Sequence, residues 1–423
     1  MPGIVTGIDE HTVTLTTTYA GVLRIPRNQI SMLAPNPLGG RVYYYGPFSE
    51  KDWSMAHASF PEGLPPPDAN AMADAKAGPP NDEKSEVSAS SSPGRWVFSG
   101  SAWYWKDKHT GTALIRESGL PDRAVLRFDL SWKNRLCLAI GFHADFAHTK
   151  PKDPDTPKGG KARGFIPGDA SDLPRLFGNS YVLQLYSNYI MLYRTSVTAD
   201  GKPSIEPIHQ NSNLRLVESG ESQVELRTNR LTGSITLFIN DEFITQWSEN
   251  DGSGRDGVHY AGKGSGFGFL VQGDDAPVRI SDVVISEWNG MPDSARSLQV
   301  DDQDVVLMSN GTDRFAGHIG NLNQQGKIQF QGKHGPLHFP LEDVAEIRFA
   351  HNHLATPPDV SPDHLVVRFH PVGSVSGRPL PSDRSSFSIL NSSAGELKLS
   401  LDSAVMIDFN ASKQIIDDWD ANF

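Results

Sequence analysis

The sequence predicts an all-β protein, a central two-sheet jelly-roll sandwich with flanking small β-barrel repeats. Three observations carry that prediction. Short runs alternating apolar and polar residues follow one another between residues 123 and 288. No long helical period occurs in the 423 residues. A glycine-marked pattern recurs three times in the flanks.

The elements follow in chain order. Residues 1–48 form repeat A, with the segment GIVTGIDEHTVTLTTTYAGVLRIPRNQISML over 3–33. Residues 49–94 read as a linker, because 61–94 holds seven prolines and no Phe, Trp, Tyr or Ile. Such a segment cannot bury enough apolar area to offset its ordering entropy. The sandwich spans 95–291. Its strands are RAVLRFDLSW (123–132), LCLAIGFHAD (136–145), SYVLQLYS (180–187), NYIMLYRT (188–195), SQVELRTN (222–229), GSITLFIN (233–240), DEFITQWS (241–248), GFGFLVQG (266–273) and VRISDVVISEW (278–288). Period-2 alternation and β-branched or aromatic enrichment mark most of them. Ser187-Asn188 and Asn240-Asp241 stand where two-residue hairpin turns belong. A polar insertion, 147–178, interrupts the sandwich. Repeat B occupies 292–352, repeat C 353–410, and a tail with one or two helical turns 411–423.

The repeats align without gaps. Two glycines lie 18 positions apart in each, Gly3 and Gly21, Gly317 and Gly335, Gly377 and Gly395. Apolar pairs follow the second glycine, Leu23 and Ile25, Leu337 and Phe339, Leu397 and Leu399. The pattern predicts a meander of short strands whose second glycine makes a tight turn. B and C have an extra strand upstream, DVVLMSN (304–310) and HLVVRFH (364–370), for which A has no room. Repeat A is therefore expected to have an open edge. Either the chain derives from a longer precursor, or another part of it or a neighbouring subunit supplies the strand. An open edge would also permit homo-oligomers.

Composition narrows the function. With 38 basic and 50 acidic side chains the net charge is −12, which argues against nucleic acid as a partner. The single cysteine, Cys137, excludes an internal disulfide framework and multi-cysteine metal sites. No apolar run approaches the roughly 18 residues of a membrane span. The first residues, MPGIVTGIDEHTV, lack the pattern of a signal peptide.

The strings VELRTNRLTGSITLFINDEFITQW (224–247), GKGSGFGFLV (262–271) and VRISDVVISEWNG (278–290) resemble the concanavalin A-like lectin/glucanase superfamily. More narrowly, they resemble the laminin-G-like jelly rolls of bacterial 3-keto-disaccharide hydrolase-type domains. Asn240-Asp241 stands where Asp-Gly is usual in that group. The flanking repeats look like small Sm-like barrels. The resemblance implies a sandwich that serves enzymes, lectins and adhesion modules alike.

Candidate residues fall into three groups. In the hairpin around Ser187-Asn188, pairing outward sets Tyr186 against Tyr189, Gln184 against Met191 and Val182 against Tyr193 on one face. Leu185 with Ile190 and Leu183 with Leu192 occupy the other, apolar face. Tyr186, Tyr189, Tyr193 and Gln184 then form a ligand platform, because phenol rings have an apolar face and a polar handle suited to sugar rings. Trp103 and Trp105 share a face in GSAWYWKDK and would join it if exposed at the rim; the alternative is a place in the core.

His143 and Asp145 alternate to one side of a strand end, as an acid–base pair would. The glucanase arrangement of carboxylates along one strand is absent, and the nearest string, LEDVAEI (341–347), has the wrong spacing. The acidic loops ENDGSGRDG and QGDDAP offer Asp251, Asp256, Asp274 and Asp275 as oxygen ligands for calcium, though neither is an EF-hand. The expectation is a non-catalytic recognition protein for a glycan, extracellular or in the cell envelope. The rivals are a hydrolase of 3-keto-disaccharides or related glycosides and a self-assembling structural subunit.

Overall fold

A computed structural model of the chain describes residues 3–35, 40–57, 94–106, 111–147, 172–211, 216, 220–249, 260–273, 276–288, 301–310, 312–356, 363–370, 372–383 and 386–409. The tail at 411–423 lies outside the described residues.

Alternating strands make the two sheets of the sandwich. Along Arg123–Trp132, residues Ala124, Leu126, Phe128, Leu130 and Trp132 are buried in one core, while Val125, Arg127 and Asp129 face outward. One antiparallel sheet runs Glu242–Ser248, Ser234–Ile239, Gly220–Asn229, Arg123–Trp132, Val278–Glu287, Ala102–Trp105, Trp96–Ser99, with Val42–Gly46 also paired to Val278–Glu287; it is the eight-stranded sheet. The seven-stranded sheet runs Pro203–Asn211, Ile190–Val197, Ser180–Tyr186, Cys137–Ala144, Gly266–Val271, Thr112–Arg116, Ser54–His57. Inner residues of both sheets merge into a single apolar cluster, which at about 25 cal/mol per Å² of buried apolar area is the main stabilising term.

The linker boundary is corrected here. Val42–Gly46 and Ser54–His57 are sandwich strands, and Tyr44 and Trp53 are buried in its core. The Trp53 indole N–H donates to the Tyr44 hydroxyl at 2.9 Å. The insertion is corrected too. Leu173–Phe177 is a short helix that buries Leu173, Pro174, Leu176 and Phe177, and Gly178 ends it at φ +66°. Phe177 lies over Gly141 and Gly268, which face each other across two strands of the seven-stranded sheet. A Cβ on Gly141 would sit 2.4 Å from the Phe177 ring.

The three repeats share one order of elements at the predicted offsets. Strands Gly21–Pro26, Gly335–Pro340 and Gly395–Ser400 each begin at the second glycine of the pattern. Those glycines have φ of +66°, +124° and +75°, the left-handed half of the map that a tight turn needs. A 3-10 turn follows each strand, at Arg27–Gln29, Leu341–Asp343 and Leu401–Ser403.

In B the upstream strand Asp304–Met308 pairs with both Arg314–Leu322 and Val344–Arg348. In C the strand Leu365–Phe369 pairs with both Ser374–Pro379 and Ala404–Phe409. Among the described residues repeat A has no such strand, and its last strand, Met32–Leu33, pairs with Val344–Arg348 of repeat B. Among the described residues its first strand, Ile4–Ile8, pairs with Thr12–Thr17 alone, so that edge stays open.

Repeat A also shares both neighbouring cores. Ile8 and Val13 pack with Val306, Ile319 and Phe330 of B, whereas Leu15, Tyr19, Leu23 and Ile25 pack with Leu365, Phe369 and Ile389 of C. Tyr19 stacks on Phe369 with ring centroids 4.1 Å apart. The Arg27 guanidinium is ion-paired to Asp304 of B and donates to the Ile319 carbonyl at 2.7 Å. Repeat C meets the sandwich where Arg368 ion-pairs with Asp282, on a bulge of Val278–Glu287.

Candidate functional site

The hairpin around Ser187-Asn188 has the predicted register. Val182 pairs with Tyr193, Leu183 with Leu192, Gln184 with Met191 and Leu185 with Ile190. The Tyr186 N–H donates to the Tyr189 carbonyl at 3.0 Å. Leu183, Leu185, Ile190 and Leu192 enter the core, so Gln184 and Tyr186 face outward on the seven-stranded sheet.

That outer face is divided. At one end the helix Leu173–Phe177 covers Ala139, Val182 and Leu270, with Tyr193 packed against the same cluster. Tyr193 is thus a packing residue. At the other end a row crosses three strands. Gln272 donates its backbone N–H to the Cys137 carbonyl at 2.9 Å, Cys137 pairs with Tyr186, and Tyr186 stacks on Tyr189. The two phenol rings have centroids 4.1 Å apart and an interplanar angle of 19°.

Beside them the Gln184 side chain donates to Gln272 Oε1 at 2.6 Å, and the Tyr186 hydroxyl donates to Gln184 Oε1 at 3.3 Å. Both amides are buried, whereas Tyr186 and Tyr189 are partly exposed. Burial pushes the Tyr186 hydroxyl well above its usual range and the Cys137 thiol up to about 11. Both groups therefore act as neutral hydrogen-bonding partners at ordinary pH, and Cys137 is a packed thiol.

Trp103 and Trp105 are 4% and 0% exposed, within the sandwich core. Their ring faces are taken by Trp53, Phe98 and Trp96, so neither offers a stacking surface.

His143 and Asp145 do not form a pair. A bulge between Phe142 and Ala144 puts His143 at φ +50°. Its ring turns inward, with Nε2 2.7 Å from the Thr228 hydroxyl and the Tyr260 ring edge-on at 5.3 Å. Burial, reinforced by the Arg230 charge, pulls its pKa down to about 3. Asp145 accepts from the Asn179 backbone at 2.8 Å, the Asn179 amide at 2.7 Å and the Ala147 backbone at 3.0 Å. It ties residue 147 to residue 179, on either side of the insertion. Strict alternation missed the bulge, and no sequence signal marks it.

Asp251, Asp256, Asp274 and Asp275 lie outside the described residues. Among the described residues no three His, Cys, Asp or Glu side chains gather as a metal site. Among them, too, no helix is long and apolar enough to cross a membrane. Larger cavities lie between units. One of about 580 Å³ separates repeats A and B beside Arg27 and Asp304, and one of about 470 Å³ separates the eight-stranded sheet from the repeats beside Arg127 and Arg348.

Neither a protein-family model nor a curated protein sequence matches the chain. Several solved structures align with part of the chain. A Bacillus subtilis protein of unknown function with a galectin-like fold aligns over 59% of this chain and 97% of its own, at 17% identity and a TM-score of 0.34. Sheep galectin-11, solved with glycerol, aligns over 40% and 95%, at 9% identity and a TM-score of 0.24. A Caenorhabditis elegans galectin aligns over 40% and 86%, at 13% identity and a TM-score of 0.22. These alignments say nothing about what this chain binds.

Proposed function

We propose that the chain is a non-catalytic recognition protein, extracellular or in the cell envelope, that binds carbohydrate on the outer face of its seven-stranded sheet. The observation that carries this reading is the stacked Tyr186–Tyr189 pair beside the buried Gln184–Gln272 pair. A pyranose ring has an apolar face of C–H groups and an equatorial rim of hydroxyls. The partly exposed phenol rings suit the first and their hydroxyls the second, while the buried Gln184–Gln272 pair holds the Tyr186 hydroxyl in place. The amides are fixed before any ligand arrives, which lowers the entropic cost of binding. The hydrolase reading loses its named pair, because His143 is sealed inside the sandwich and Asp145 is occupied by Asn179.

The test is a glycan array run with the whole chain, with and without calcium, followed by titration of the retained sugars. Replacing Tyr186 and Tyr189 together by Ala is expected to weaken binding about tenfold or more, since a buried aromatic anchor accounts for roughly 2 kcal/mol or more. An array that retains no sugar, or a hit indifferent to that replacement, removes the reading.

A further inference from the structure

A third cavity, of about 350 Å³, lies between the outer face of the eight-stranded sheet and repeat C. Its floor comes from Asp129, Gln223 and Ser281 on three adjacent strands, and its roof from Val366, Arg368 and Asp408. Two features distinguish it from a packing defect. Ser281 is 1% exposed and its hydroxyl has no hydrogen-bond partner. Arg368 is 7% exposed and its Nε–H is likewise unpartnered, although its terminal nitrogens are taken by Asp282 and Asp408. Leaving a buried polar group unsatisfied costs about 1–3 kcal/mol, so two such groups at one cavity mark a place built for a polar occupant.

We propose that this cavity is a second binding site, for a small neutral saccharide. The lining combines carboxylates at Asp129, Glu221, Asp282 and Asp408 and guanidiniums at Arg279 and Arg368 with apolar surface, as a sugar's hydroxyl rim and C–H face require. The carboxylate excess disfavours an anion. A small organic cation would meet two guanidiniums. A metal ion would need clustered ligands, which the described residues do not form there. Sugar hydroxyls both donate and accept, and so can serve Asp129, the Ser281 hydroxyl and the Arg368 Nε–H together. The bulge that holds Asp282 at φ +50° aims it at Arg368 and keeps the guanidinium fixed at the cavity wall. This site is formed jointly by the sandwich and repeat C, and it does not rest on the tyrosine face.

The experiment titrates the whole chain with glucose, galactose and lactose by calorimetry, with glucuronate and putrescine as charged controls. At least one neutral sugar is expected to saturate. Ser281→Val is expected to weaken it about tenfold, the effect of leaving one sugar hydroxyl unpaired. Val366→Phe, which fills the cavity from the opposite wall, is expected to abolish binding. Melting temperature checks that each variant is folded, and the two variants approach the cavity from different units. Replacing Tyr186 and Tyr189 by Ala is expected to leave this binding unchanged, even if the glycan array fails. No saturation by any of the three sugars overturns the proposal. So does binding confined to glucuronate or putrescine, or binding lost with the tyrosines but kept in both cavity variants.

Discussion

Asp304→Ala is the sharpest probe of how the repeats hold together. The carboxylate is 4% exposed and joins three elements. It accepts from the Ile319 N–H at 2.9 Å and the Ala350 N–H at 3.0 Å, both in repeat B, and pairs with Arg27 of repeat A. Removing it strands two buried backbone donors and leaves a guanidinium, 16% exposed in its side chain, without its counter-charge. Breaking such a buried pair from one side costs about 3–5 kcal/mol. At roughly 1.4 kcal/mol per tenfold, protection of the Ile319 and Ala350 amides against hydrogen exchange should fall by about 100-fold or more. Native-state exchange is the right assay because it reads each unit separately in a chain with several. Arg27→Ala should cost less, about 1–2 kcal/mol, because Asp304 keeps its two backbone donors. The double variant should be less damaged than the sum of the singles, by about 0.5–3 kcal/mol. A change below threefold at Ile319 and Ala350, or a coupling near zero, would refute the idea that this carboxylate latches A to B.

Two other outcomes follow from the same geometry. His143, with its pKa pulled down to about 3, is neutral in the folded chain, whereas the unfolded chain binds a proton near the ordinary 6.5. Its contribution is fully present above pH 6.5 and is lost as pH falls towards 3, by up to about 1.4 kcal/mol per pH unit. Urea midpoints between pH 7 and 4 should therefore fall less steeply in a folded His143→Gln variant, and an NMR titration showing His143 protonating near 6.5 would contradict this. At the repeat turns, a Cβ on Gly21 or Gly335 would meet nothing within 4 Å, so only backbone conformation decides. Gly21, at φ +66°, lies where Asn is tolerated, and Gly335, at φ +124°, does not. Gly21→Asn should cost no more than about 1 kcal/mol and Gly335→Asn roughly twice that, read as exchange protection of the adjoining strands; equal costs would contradict the argument.

Much of the architecture was legible because it depends on local periodicity. Alternation located Arg123–Trp132 to the residue, and outward pairing from Ser187-Asn188 gave the hairpin register that sets Tyr186 beside Tyr189. The glycines at 21, 335 and 395 were legible because their turns need a positive φ, which glycine adopts most readily. What escaped was decided by tertiary partners. Ser54–His57 has almost no alternation and is a strand because Thr112–Arg116 is free to pair with it. Pro203–Asn211 contains two prolines, tolerated because it is the edge of its sheet. The helix Leu173–Phe177 did leave a signal in its Leu-Pro start, its apolar Leu176 and Phe177 and its closing Gly178, overlooked in a proline-rich insertion. His143 left none, since one bulged residue reverses every facing assignment after it.

The placement of the repeats bears on where recognition can occur. Among the described residues, repeat A has no strand that bridges its first and last strands as Asp304–Met308 does in B and Leu365–Phe369 does in C. Its apolar side chains are divided between B and C, so the three repeats stand or fall together. Arg368 of C then bonds to Asp282 on the eight-stranded sheet, and Asp408 of C accepts from the Ser101 hydroxyl at 3.1 Å. Those contacts place repeat C over the middle of that sheet's outer face, while Val97 on its edge strand stays exposed. Among the described residues the outer face of the seven-stranded sheet is covered at one end, where Phe177 fills the hollow over Gly141 and Gly268. On the proposed reading a large glycan would lie at the other end, where Tyr186 and Tyr189 are partly exposed, and a small saccharide in the cavity beneath repeat C. The two surfaces differ in kind, an aromatic pair against a recess with charged walls, so the proposal predicts that they would select different parts of a sugar.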